Sequence, residues 1–94
     1  MHYKERLLTE GKSFRTSEKG NSMTPLIKSD QEHVLSPINL SDVEVGDIVF
    51  CKVKGRYYTH LVKVKGDRGV LIGNNHGKIN GWTKSVFGKV TKIL

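Results

Sequence analysis

The sequence predicts a mainly β domain, a small curled sheet or partly open barrel with a short N-terminal helix. Three observations predict it. Apolar and polar residues alternate along most of the second half, Gly-containing turns separate the alternating runs, and only the opening segment carries a helical pattern. At 94 residues the chain suits one domain with one modest core. It divides into a helix and lead-in over residues 1–17 and a β core over residues 18–94.

The elements follow in order. Tyr3 to Leu8, YKERLL, makes a short helix with Leu7 and Leu8 to bury and Gly11 to stop it. GNSMTPLI, residues 20–27, reads as turn chemistry: Gly20 and Asn21 tolerate unusual backbone angles, and Pro25 pushes Thr24 towards an extended conformation. VGDIVFCKV sets Val49, Cys51 and Val53 on one strand face. RYYTHLVKV sets Tyr58, His60, Val62 and Val64 on one face and Tyr57, Thr59, Leu61 and Lys63 on the other. Lys54-Gly55-Arg56 has the length of a tight hairpin, and Lys65 to Gly69 forms a second turn into VLIG. SVFGKVTKI closes the chain, with Gly88 as the expected bulge, for about five or six strands in all.

Composition bounds the function classes. Hydrophobic content is 36%, and no apolar run approaches the roughly 20 residues that span a bilayer. The opening MHYKERLLTEGK has no secretory h-region and Cys51 is the only cysteine, so a soluble protein of the reducing cytoplasm is expected. Sixteen Lys and Arg against nine Asp and Glu give a net charge of +7, which admits nucleic acid as a partner. Lysines that alternate with valines and glycines along Lys52–Lys65 and Lys78–Lys92 fit solvated strand faces better than a nucleic-acid footprint. His2, His33, His60 and His76 lack the paired spacing of a zinc site, so neither metal nor other cofactor is expected. Cys51 reads as a small core residue.

His60 stands out because it shares a strand face with Val62 and Val64, which points its imidazole inward or into a groove. Taken alone it is a satisfied core histidine. Taken with Ser22, a hydroxyl on a turn, it makes the minimum pair for nucleophilic catalysis.

GNSMTPLI, VGDIVFCKV, YYTHLVKV and LIGNNHGKIN, in that order, resemble the signal-peptidase and LexA-repressor superfamily of serine peptidases, from about Glu18 to the C-terminus. The resemblance implies that fold type, with Ser22 of the Gly-x-Ser-Met-x-Pro box as nucleophile. It implies His60 of Thr59-His60-Leu61 as base, as in the histidine-type members, since Lys63 falls on the opposite strand face unless the strand is bulged. Those members carry two aspartates where this chain has Asn74 and Asn80. The resemblance implies Asn74 as the residue that orients His60, with Asn80 as the alternative position.

The implied function is a serine endopeptidase acting by a Ser-His dyad, weak or self-directed, that binds a peptide or protein substrate as an added strand. Ser22 N–H would serve as oxyanion donor, and Met23, Pro25 and Tyr58 would line the substrate groove. With neither a membrane anchor nor a helix-turn-helix in view, the expectation is a stand-alone soluble domain of the kind met in phages and mobile elements. The alternative is a catalytically inactive module of the same fold that holds a peptide strand or nucleic acid.

Overall fold

The computed structural model describes the whole chain, Met1 to Leu94. Helix α1, Tyr3–Thr9, is capped by the His2 side chain, which accepts from the Lys4 N–H at 3.1 Å. It ends at Gly11, whose φ of +84° is the left-handed conformation that commonly terminates helices. Its buried residues are Lys4 and Leu8, whereas Leu7, expected inside, is only half-buried.

Seven strands follow: β1 (Phe14–Thr16), β2 (His33–Pro37), β3 (Ile48–Val53), β4 (Arg56–Gly66), β5 (Gly69–Gly73), β6 (Ile79–Thr83) and β7 (Val86–Ile93). A 3-10 turn, Leu40–Asp42, precedes β3. All pairings are antiparallel, in the order β1-β2-β7-β3-β4-β5-β6. The mainly β expectation holds, and the strand count rises to seven. The strands beyond the four alternating runs are β1, β2 and β6: β1 has three residues, β2 turns His33 and Leu35 inward over only five, and β6, INGWT, carries no alternation of apolar residues.

The two sheet faces bury separate clusters. Val43, Val49, Cys51, Val53, Val62, Val70, Ile72 and Val86 pack on one. Leu8 of α1 covers Leu35 and Phe50 on the other, with Phe14, Tyr57, Phe87 and Val90 around them. Burying both faces of such a small sheet needs the helix, because β-strands alternate their side chains and one side of β3 would otherwise present Phe50 to water. The sheet curls so that β6 comes back over β3. There Thr83 Oγ1 donates to the Lys52 carbonyl at 2.6 Å, yet β1 and β6 do not pair and the sheet stays open.

Turn geometry sets the register. Lys54 and Gly55, with φ of 50° and 83°, join β3 to β4 as a two-residue turn of the sense that matches strand twist. A bulge at Lys63 interrupts the β4–β5 ladder, where Val62 faces Ile72 but Val64 faces Leu71. That bulge corrects one expectation: Val64 leaves the face of Tyr58, His60 and Val62 and is 44% exposed. The β7 bulge falls one residue before the expected Gly88: Phe50 faces Gly88 and Cys51 faces Val86, so Phe87 is the extra residue.

Candidate active site

Ser22 sits on an exposed loop between β1 and β2. The loop is closed at its base by Asp30 N–H to the Glu18 carbonyl at 2.8 Å and by Gly20 N–H to Ser29 Oγ at 3.1 Å. Inside it, Thr24 N–H donates to the Asn21 carbonyl at 3.2 Å and Ile27 N–H to the Met23 carbonyl at 3.0 Å. Met23 and Ile27 are buried and anchor the loop to the sheet, while Pro25, after a cis peptide bond, lies exposed at the tip. A loop with joined ends and buried anchors of its own presents a side chain in a fixed place.

The β5–β6 connection clamps this loop from outside. Asn75 N–H donates to the Ser22 carbonyl and Asn75 Nδ2 to the Thr24 carbonyl, both at 2.9 Å. His76 Nε2 donates to the Asn21 carbonyl at 2.9 Å and reaches Thr24 Oγ1 at 3.0 Å. The stretch GNNH therefore fixes the serine loop, a role that the sequence reading did not assign to Asn75 or His76.

His60 comes from the middle of β4 and is 9% exposed. Its Nε2 lies 3.2 Å from Ser22 Oγ and its Nδ1 lies 2.7 Å from Asn80 Oδ1. An amide oxygen only accepts, so Nδ1 carries the proton in this contact, and in the neutral ring the Nε2 lone pair faces the serine hydroxyl. Tyr58 lies beside the imidazole with ring centroids 5.0 Å apart. Lys63 makes no hydrogen bond to Ser22, whose Oγ is paired with His60.

The orienting contact belongs to Asn80 and not to Asn74. Asn74 Oδ1 accepts the N–H groups of His76 at 2.8 Å and Lys78 at 3.0 Å, which is the turn-forming use of an asparagine after a strand. A register shift between Ile72 and Gly73 in the β5–β6 ladder leads into β6, where Asn80 reaches His60.

On the far side of Ser22, Glu18, Gly20, Met23, His33 and Thr59 line a cavity of about 30 Å³. Glu18 Oε1 accepts from Lys4 Nζ at 2.9 Å and from Thr59 Oγ1. Burial alone would favour the neutral acid, but the Thr59 hydroxyl and the Lys4 ammonium outweigh it and hold the carboxyl below its ordinary range. A larger concavity of about 530 Å³, at the end of α1 beside Pro37, Ile38 and Asp42, includes neither a histidine nor a cysteine. Burial pushes the Cys51 thiol up to about 12, and its Sγ contacts the Tyr58 carbonyl at 3.6 Å, inside the core.

No group of three or more His, Cys, Asp or Glu side chains could hold a metal ion, and no helix is long and apolar enough to cross a membrane. No protein-family model and no curated protein matches the chain. Its functional reading therefore rests on the residues around Ser22 and His60.

Proposed function

We propose that the protein is a serine peptidase of the signal-peptidase and LexA type, working by a Ser22-His60 dyad with Asn80 as the orienting residue. The supporting observation is the chain of contacts Ser22 Oγ, His60 Nε2, His60 Nδ1 and Asn80 Oδ1, at 3.2 and 2.7 Å. His60 takes the hydroxyl proton as Ser22 Oγ attacks a peptide carbonyl, then returns it to the leaving amine. Water hydrolyses the acyl-serine by the reverse sequence. The Ser22 N–H donates to no protein acceptor and is free to bind the developing oxyanion.

Asn80 fixes the tautomer but brings no negative charge to the imidazolium, so slow turnover is expected. In the serine-protease template, aspartate to asparagine at this position costs about 10⁴ in kcat. Substrate entry as an added strand has a backbone template. β5 pairs with β4 only from Leu61 onward, so the β4 edge over residues 57–60, next to His60, has no strand partner on that side. An extended peptide there would add a strand to β4 beside His60.

The test is labelling with a peptidyl diphenyl phosphonate, read by intact mass. One adduct per chain, absent in Ser22→Ala and strongly reduced in His60→Ala, is the expected result. A folded protein that gains no adduct at Ser22 would leave the inactive peptide-binding module as the better reading.

A further inference from the structure

Asn80 precedes Gly81, and of the five asparagines in the chain it is the only one followed by a glycine. In such a pair the backbone nitrogen of the glycine can attack the asparagine side-chain carbonyl, because no Cβ shields that nitrogen or limits the angles that bring the two together. The fold leaves this pair open. β6 pairs with β5 alone and ends the sheet. Within it Ile72 faces Gly81 and Gly73 faces Ile79, so Asn80 is the extra residue of a bulge, without a partner in the ladder. Asn80 and Gly81 are both half-buried, and a bulge on an edge strand opens locally at low cost. The glycine is also required by the fold. Its φ is +137°, and a Cβ there would lie 3.2 Å from Val53 Cγ1 and 3.3 Å from Lys54 Cε.

His60 adds a chemical reason. Attack at Asn80 Cγ puts negative charge on Oδ1, and Oδ1 already accepts from His60 Nδ1 at 2.7 Å. A donor aimed in advance at that oxygen stabilises the tetrahedral intermediate. Asn74 is the internal comparison: its Oδ1 also has donors, the N–H groups of His76 and Lys78, but the next backbone nitrogen belongs to Asn75, which carries a side chain.

We infer that Asn80 is a self-modification site, which deamidates to aspartate in the folded protein and so converts the encoded Ser-His-Asn set into Ser-His-Asp. Gly81 N loses its proton to water and bonds to Asn80 Cγ, the Cγ–Nδ2 bond breaks, and Nδ2 leaves as ammonia, giving a succinimide. Water adds at Cγ, the bond from Cγ to Gly81 N breaks, and that nitrogen regains a proton. The net change is amide plus water to carboxylate plus ammonium. The new carboxylate stands where Oδ1 meets the imidazole, and it supplies the negative charge that the asparagine lacks. Opening at the other ring carbonyl gives isoaspartate, whose main chain is one atom longer. The consequence for reactivity rests on the proposed Ser22-His60 dyad, whereas the modification itself does not.

The experiment holds freshly purified wild-type protein in native buffer made with ¹⁸O-water at neutral pH, so that only residues modified during the incubation carry the label. Position 80 is read by tandem mass spectrometry with electron-transfer fragmentation, which separates aspartate from isoaspartate, and parallel samples are labelled with the phosphonate. Labelled aspartate should appear at position 80 before any change at Asn21, Asn39, Asn74 or Asn75. His60→Ala should slow it about tenfold, a discounted share of what such a donor is worth in a rigid site. An unchanged rate in that variant overturns the part given to His60, and the wild-type protein alone decides the site if His60→Ala does not fold. Native protein that keeps Asn80 while the chain unfolded in urea loses it, or isoaspartate as the sole product, overturns the inference. The rate of Ser22 labelling should climb with the aspartate fraction towards that of Asn80→Asp, about ten to a hundred times the starting rate. Aspartate without labelling keeps the modification site and removes the peptidase. Labelling at a constant rate with Asn80 intact keeps the peptidase and removes the modification.

Discussion

Asn80 Oδ1 and His60 Nδ1 are 2.7 Å apart, in the position where a histidine-dependent serine peptidase holds a carboxylate. Asn80→Asp is therefore the substitution expected to raise Ser22 reactivity. A carboxylate there stabilises the imidazolium formed as the serine gives up its proton, and labelling by a phosphonate at neutral pH should become about ten to a hundred times faster, less than the full template effect. Asn74→Asp should leave the rate within about twofold, because Asn74 caps the turn to His76 and Lys78. Equal effects of the two variants would show that a general change of charge, rather than the contact to Nδ1, controls reactivity.

Glu18 links stability to acid. Its carboxyl is held below the ordinary value of 4.5 in the folded state by the Thr59 hydrogen bond and Lys4, against the opposing effect of burial. A depressed folded value means that the unfolded chain binds the proton more readily. The stabilisation is thus complete above about 4.5 and is lost as pH falls through the folded value. Thermal melts from pH about 6 to about 3 should show an acid-side loss of stability that is shallower in Glu18→Gln. An unchanged acid limb in that variant would assign the loss to other carboxylates.

Gly88 is the point where α1 sits on the sheet. A Cβ built there would lie 2.7 Å from Leu8 Cδ2 and 2.7 Å from the Ser36 carbonyl oxygen. The leucine tip can move but the β2 backbone cannot do so cheaply. Gly88→Ala should therefore destabilise the fold by about 1–3 kcal/mol, which for a chain of this size lowers Tm by at least about 4 °C. Leu8→Ala, which opens a cavity instead, should cost about 2–5 kcal/mol. If the double variant is no worse than Leu8→Ala alone, the clash is with the leucine and the carbonyl contact is relieved.

Cys51 should be inert. With the thiol pushed up to about 12 from 9.0 by burial, its thiolate fraction at pH 8 falls about a thousandfold. Iodoacetamide should alkylate it only after unfolding. Modification of the native protein within minutes would show that the core cluster around Val49 and Val53 opens readily.

The sequence by itself determined the mainly β fold, a tight hairpin within Lys54-Gly55-Arg56, a break in β7 one residue from Gly88 and the short helix, because each depends on interactions between near neighbours. Side-chain alternation, glycine in a turn and two leucines before a stop signal are local, and they need no knowledge of what lies across the sheet. It also singled out Ser22 and His60, through a motif and a strand face. Their contact is a tertiary fact, made by a loop anchored on Met23 and Ile27 and clamped by Asn75 and His76. The choice between Asn74 and Asn80 lay outside the sequence for the same reason. The two are alike in chemistry and flank one turn, and only the shift in β5–β6 pairing decides which amide meets the imidazole. His33 was legible merely as a histidine too far from the others to share a metal. That its Nε2 is buried without a partner depends on how β2, which buries His33 and Leu35, packs against the loop that leads into it.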